Sequence, residues 1–172
     1  MIKFCTENLL ESKSNFIVCL MNNQGLYDNE LLQSVSDKYP HIEIECAKYI
    51  HYNIKKQKNI ISDVQYTPTE CWALVLIDTI KNNNVIAFDN DYQYIVNLFC
   101  QKQVGRKYEL DLIAFRKGLT DIKNRARQIS ATVSISCFGC KNITEQNILI
   151  EIIDDVFGDS SDIEVKVYKY FS

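Results

Sequence analysis

The chain has 172 residues, is 47% hydrophobic and carries a formal net charge of −3, enough apolar material for one soluble domain with a substantial core. Without a block of like charge, long nucleic acid is not an expected partner, although local amides and a few lysines could still bind a small anion. No apolar leader or long apolar segment is visible, so the sequence reads as a cytoplasmic protein that neither spans a membrane nor is secreted.

Ile2 to Cys5 and Phe16 to Met21 read as strands, the second too continuously apolar for an exposed edge. The run then breaks on Asn22-Asn23-Gln24-Gly25. Leu26, Leu31, Leu32 and Val35 make a helical stripe that stops at Tyr39-Pro40. Ile42 to Ile54 gives a second helical stripe, with Ile42, Cys46, Tyr49 and Ile50 on one side. Ile60 to Tyr66 reads as a strand, and Glu70 to Ile80 is ambiguous, with helix preferred. Val85 to Phe88 and Tyr94 to Phe99 look like paired strands around Asp89-Asn90-Asp91.

Leu110 to Ile129 is a long helix, with Leu112, Phe115, Leu119 and Ile122 inward and Arg116, Lys117 and Lys123 outward. Thr132 to Ser136 is a β-branched strand, Glu145 to Phe157 a helix, and Ile163 to Tyr170 an alternating last strand. Helices interleaved with strands indicate α/β layers around a mixed sheet. With two prolines and five glycines, punctuation is sparse and periodicity carries most of the reading.

The seven cysteines are scattered and odd in number, which suits free thiols in a reducing compartment. Cys137-Phe138-Gly139-Cys140 is a C-x-x-C. A structural zinc site needs a second ligand pair, and His41 and His51 do not supply one. Incidental spacing is the preferred reading, with a redox pair as the alternative.

Taken together, the words of sequence resemble the macro domains, the ADP-ribose-binding modules. Thr6 to Ser12, "TENLLES", resembles the family's "GNLL" or "GDL" turn. The stretch from Phe16 to Pro40 is similar, without a gap, to "VNxVNxxGxMGxGLAxxFKxxYP", keeping Asn22, Gly25 and Tyr39-Pro40. Tyr94 to Lys102, "YIVNLFCQK", resembles "YIxNLxTQK", and "FRKGL" fits the helix after it. Ile135 to Cys140, "ISCFGC", is similar to "IPxLGCG", and "EIIDDVF" with "DIEVKVYKY" resembles the closing helix and strand. The likeness spans nearly the whole chain in the right order. It is nearest to the small stand-alone ADP-ribose 1″-phosphate phosphatases and ADP-ribosyl-glutamate hydrolases.

The departures fall on the phosphate loops. The family's "MGxG" is here Tyr27-Asp28-Asn29-Glu30, and "GCGNGG" has become Gly139-Cys140-Lys141-Asn142-Ile143-Thr144. Glycine lets amides approach a diphosphate, whereas acids and a bulky ring remove room and add repulsion. The first asparagine of "NxVN" is Cys19 and the adenine-side acid is Asn8. The family's catalytic lysine aligns with Gln101, next to Lys102, and its aspartate with Ile143.

The resemblance implies a three-layer α/β/α macro domain over residues 1–172, with a crevice lined by residues 7–10, 22–28, 99–102 and 136–143. Ligands of such sheets sit outside the carboxyl ends of the strands. The implied catalytic residues are Asn22, orienting a ribose or water, and Lys102, meeting negative charge. The implied ligand-binding residues are Asn8, Leu9, Asn22, Gly25, Leu26, Tyr27, Cys137, Phe138, Gly139, Cys140, Lys141 and Asn142, with no metal and no cofactor. The bland alternatives are a turn contact for Asn22, an exposed Lys102, and a capping-box helix start for Asn142 with Glu145. The implied partner is ADP-ribose or an ADP-ribosylated molecule, bound by a monomer and hydrolysed weakly if at all. The competing reading is an inactive macro scaffold used for protein interaction. The low Gly and Pro content, with many Lys, Asn and Ile, fits an AT-rich genome such as that of a virus or phage.

Overall fold

The computed structural model describes residues 2–22, 25–40, 42–44, 46–47, 75–79, 81–82, 84–85, 87–88, 91–102 and 109–171. Chain order gives β1 (Ile2–Cys5), β2 (Phe16–Asn22), α1 (Glu30–Lys38), β3 (Val75–Thr79), and the short pairs β4 (Lys81–Asn82) with β5 (Asn84–Val85) and β6 (Ala87–Phe88) with β7 (Asp91–Tyr92). There follow β8 (Tyr94–Lys102), β9 (Glu109–Leu110), α2 (Leu112–Ile129), β10 (Val133–Ser136), α3 (Ile143–Phe157) and β11 (Val165–Tyr168). The main sheet runs β1-β11-β10-β2-β8-β3, with β9 also on β8. All of its pairings are parallel except those of β3 and β9 with β8.

The continuous apolar run of β2 is explained by helices on both faces. Phe16, Val18 and Leu20 join one core with Phe115, Leu119 and Ile122 of α2 and Leu149, Ile153 and Phe157 of α3. Ile17, Cys19 and Met21 point the other way, into a second core with Leu32 and Val35 of α1 and with Tyr39, Ile42 and Cys46. Side chains alternate across a strand, so a central strand covered on both sides must be apolar at every position. The result is a three-layer α/β/α sandwich around a mixed sheet.

The helices α1, α2 and α3 are each started by an Asx cap. The side chains of Asn29, Asp111 and Asn142 accept hydrogen bonds from the amides of Leu32 (2.9 Å), Ala114 (3.0 Å) and Glu145 (2.9 Å), so each satisfies one of the four orphan amides of its first turn.

Four sequence expectations change. Val75–Thr79, inside the stretch read as helix, is a strand. Its apolar run suits either state, and antiparallel pairing with β8 decides it. That pairing also takes the place expected for Val85 to Phe88: β8 lies between β2 and β3, while Phe88 pairs with Asp91. Leu112, read as inward, is exposed at the first turn of α2. Leu26 lies outside α1, which begins at Glu30, and is 49% exposed. The stripe after Tyr39 is helical at 42–44 and 46–47. The rest of it, the strand expected at 60–66, His41, His51 and Cys71 lie outside the described residues.

Candidate functional site

The carboxyl ends of β1, β2, β8, β10 and β11 emerge on one edge of the sandwich and frame a crevice of two adjoining hollows. One, of about 230 Å³, is lined by Asn8 and Leu9 after β1, by Glu30 and Ser34 of α1, and by Ser136, Phe138, Lys169 and Tyr170. The other, of about 280 Å³, is lined by Asp28 and Asn29, by Gln101, by Phe138, Gly139 and Cys140, and again by Tyr170. The Phe138 and Tyr170 rings meet edge to face, with centroids 4.5 Å apart. This aromatic pair therefore forms a wall common to both hollows.

The turn after β10 is built from short-range bonds. The Phe138 amide donates to Ser136 Oγ (2.9 Å), and the Cys140 amide to the Cys137 carbonyl (3.3 Å). Gly139 sits at φ 117°, a left-handed conformation that only glycine adopts without strain. An added Cβ there would lie 2.4 Å from Gln101 Nε2, which donates to the Gly139 carbonyl at 3.3 Å. Gly139→Ala should therefore cost about 2 kcal/mol or more, from backbone strain plus displacement of Gln101. A thermal melt reads this directly, and an unchanged Tm would contradict the turn geometry.

Asn22 is buried at the end of β2, but its amide serves the loop that follows. Its Oδ1 accepts from the Leu26 amide (3.0 Å), while its Nδ2 donates to the Leu26 carbonyl (2.6 Å) and to Asp28 Oδ1 (3.3 Å). Gly25, at φ 69°, turns the chain between them. The turn reading of Asn22 is thus the observed one. Its contact with Asp28 holds that carboxylate at the crevice.

Tyr27 is buried in the α1-side core and is absent from the crevice lining. Its Oη accepts from Asn97 Nδ2 (3.2 Å), and its carbonyl accepts from the Gln33 side chain. Burial is the main reason its phenol pKa is raised. Asn97 Oδ1 is buried without a hydrogen-bond partner among the described residues.

Lys102 pairs with Asp111 Oδ2 at 3.7 Å and lines neither hollow. Gln101 is the β8 side chain that does. A one-residue irregularity pairs Met21 with Phe99 but Asn22 with Gln101, leaving Cys100 as the extra residue. Such a bulge resets which neighbouring side chain faces a given direction. Asn142 caps α3, and Glu145 Oε2 accepts from the Lys141 amide (3.3 Å), a variant of the capping box shifted by one residue. Of the implied ligand-binding residues, Asn8, Leu9, Phe138, Gly139 and Cys140 face the crevice. Gly25, Leu26, Tyr27, Cys137, Lys141 and Asn142 do not line its hollows. Glu30, read from sequence as part of the acidic loop, lines the crevice, whereas sequence reading missed Ser34, Lys169 and Tyr170. The end of the alternating last strand was the available signal for the last two.

Among the described residues, the crevice lining carries three acids, Glu7, Asp28 and Glu30, against one cation, Lys169. Its electrostatics therefore oppose a polyanion, while its shape, aromatic wall and open turn at Gly139 suit a flat, hydroxylated ligand.

The C-x-x-C thiols are buried and unpaired with each other; Cys140 Sγ lies 2.9 Å from the Cys137 carbonyl. Burial pushes Cys137 up to about 12 and Cys140 up to about 11, from an ordinary 9.0. A redox pair needs a thiolate near neutrality, so this environment is the wrong one. Cys19 and Cys46 are likewise raised by burial, to about 12 and about 11. Alkylation at pH 7 should be slow at all four, and rapid labelling of Cys137 or Cys140 would restore the redox reading. The unfolded chain loses these protons from about pH 9 while the native chain holds them. Stability should therefore be independent of these groups below pH 9 and fall progressively as pH rises towards 12. Urea midpoints across that range measure it.

No protein-family model and no curated protein matches this sequence. Solved structures do match. The macrodomain of Thermus aquaticus DarG aligns at TM-score 0.72 and 15% identity, over 98% of this chain and 97% of that one. The macrodomain of Mycobacterium tuberculosis DarG aligns at 0.71 and 14%, over the same shares. Thermosipho africanus DarTG, solved in complex with ADP-ribose, aligns at 0.70 and 14%, over 98% of this chain and 41% of that one. The chain has the macrodomain fold. Among the described residues, no helix is long and apolar enough to cross a membrane.

Proposed function

We propose that this chain of macrodomain fold, acting as a single domain over residues 1–172, binds ADP-ribose or a related ADP-ribose derivative in the crevice around Phe138 and Tyr170. The observation that carries this is positional. Asn8-Leu9 at one end, the Gly139 turn at the other and the aromatic wall between them lie together at the carboxyl ends of the parallel strands, where α/β sheets take nucleotides. The Thermosipho africanus ADP-ribose complex, with the same fold, supports it. Binding is weaker than a glycine-rich diphosphate loop would provide, because Asp28 and Glu30 stand where amides would approach.

Binding without turnover is the favoured form of this reading. Asn22 spends its amide on the Leu26–Asp28 loop, and Lys102 is held by Asp111. Removal of ADP-ribose from modified protein or nucleic acid should therefore be weak or undetectable, and Lys102→Ala should leave ADP-ribose affinity within about twofold. A larger loss would return Lys102 to the site.

Calorimetry and thermal shift with ADP-ribose test the proposal. At ligand ten times above Kd, the folded state should gain about 1.4 kcal/mol. No heat and no shift at millimolar ligand would reject it in favour of the second reading, a scaffold serving protein interaction. The three acids on the crevice lining favour that alternative.

A further inference from the structure

A further hollow, about 520 Å³, lies not at the crevice but beside β1 at the far edge of the sheet. Ile2 and Phe4 of β1, Ile150 of α3 and Val167 of β11 supply its apolar surface, and Glu151 and Asp154 supply carboxylates. Among the described residues β1 pairs only with β11, so the other side of its backbone is an open edge. Phe4 is 53% exposed there, with Lys169 Nζ 4.5 Å above its ring. Open edges with apolar side chains pair readily with another strand.

The charges are ordered along this edge. α3 begins just past the carboxyl end of β10 and runs back towards the amino ends of the strands, which puts Asp154 at the Ile2 end. Lys169 follows β11, and its amide donates to the Cys5 carbonyl, so it marks the opposite end. The patch therefore runs from negative to positive in the direction of β1. A patch with that polarity is complementary to itself when turned end for end about a two-fold axis.

We infer that β1 is a self-association surface: two copies of this chain join antiparallel along β1, with the Phe4 faces of both groove sides together. Two-fold pairing keeps both apolar grooves on the same side of the joined sheet, because residues directly opposite in an antiparallel pair share a face. It also brings the carboxylates of each copy towards Lys169 of the partner subunit. This departs from the monomer expected from sequence, and it shares Lys169 with the crevice lining. Phe4→Lys and Asp154→Lys, which replace no crevice-lining residue, are therefore the variants that separate it from ligand binding. Lys3 also lies on this strand, but its ammonium is 3.5 Å from Glu164 and its charge is countered within the same copy.

Sedimentation velocity over a concentration series tests the inference. The 20.0 kDa chain should shift reversibly towards twice that mass. Phe4→Lys, at an exposed position that leaves the fold intact by circular dichroism, should weaken self-association by at least about tenfold. Lys169→Glu and Asp154→Lys should each weaken it about threefold or more, and together restore it, because the swapped charges again face opposites. A monomer at every concentration up to the millimolar range would overturn the inference, as would self-association indifferent to Phe4→Lys. Charge reversals that have no effect, or that fail to compensate each other, would overturn the two-fold arrangement.

Discussion

Tyr27→Ala is expected to destabilise the fold by about 3–5 kcal/mol, the range for removing a buried aromatic side chain. Tyr27 is 4% exposed and packs in the core beneath α1 with Leu32, Val35 and Cys46. Truncation would leave a cavity between the sheet and α1, and would also strip Asn97 Nδ2 of the Tyr27 hydroxyl as acceptor, beside an Asn97 Oδ1 that has no partner among the described residues. Tyr27→Phe separates the two effects. It keeps the ring and removes only the hydroxyl, so it should cost about 1–3 kcal/mol, the penalty for leaving a buried donor unmade. Domains are stable by only about 5–15 kcal/mol, so the alanine variant would be close to unfolding at 37 °C. Urea unfolding of both variants measures the difference. Equal costs would mean that the hydroxyl, not the packing, dominates; no cost from Tyr27→Ala would mean that the residue is not in the core.

The largest expected effect on binding comes from charge. Asp28→Asn combined with Glu30→Gln should tighten ADP-ribose by about tenfold or more. At an effective dielectric of about 40, two like unit charges ~8 Å apart repel by about 1 kcal/mol, and both carboxylates line the crevice with Glu7. Amides are the right replacements, since Asn29 caps α1 and glycine at its first residue would weaken the helix. Glu30 lies in the first turn of α1, where a carboxylate favours the helix dipole by about 0.3–1 kcal/mol. The double variant should therefore melt slightly lower while binding more tightly, opposite signs that no general loosening produces. The gain should shrink as salt is raised, because screening removes the repulsion it relieves. Affinity unchanged at low salt would mean that the two acids point away from the ligand.

Much of the architecture was legible in local pattern. The all-apolar run of β2 implies cover on both faces, and two cores on its alternate residues supply it. The stripe Phe115, Leu119, Ile122 fixes the buried face of α2, and Asn142 with Glu145 marks the start of α3. These features depend on neighbours within a few residues, which a sequence displays directly. Position in the sheet does not: Val75–Thr79 is a strand because β8 offers it a partner, and nothing within its own five residues says so.

The candidate site divides along the same line. Asn8, Leu9, Phe138 and Gly139 could be placed at the crevice because the family resemblance covers them and each follows the end of a strand, and they do line it. Whether a side chain turns into that crevice or away from it was settled elsewhere. Tyr27 turned inward because the space under α1 accepts a ring and Asn97 donates to its hydroxyl. Gln101 took the place expected of Lys102 because a bulge at Cys100 shifts the register, while Asp111 holds the lysine outside. Asn22 turned to its own loop because Leu26 offers it both an amide and a carbonyl. Periodicity and caps are short-range properties and are written in the chain. The direction of a side chain at the end of a strand depends on partners far away in sequence, and only the packed structure decides it.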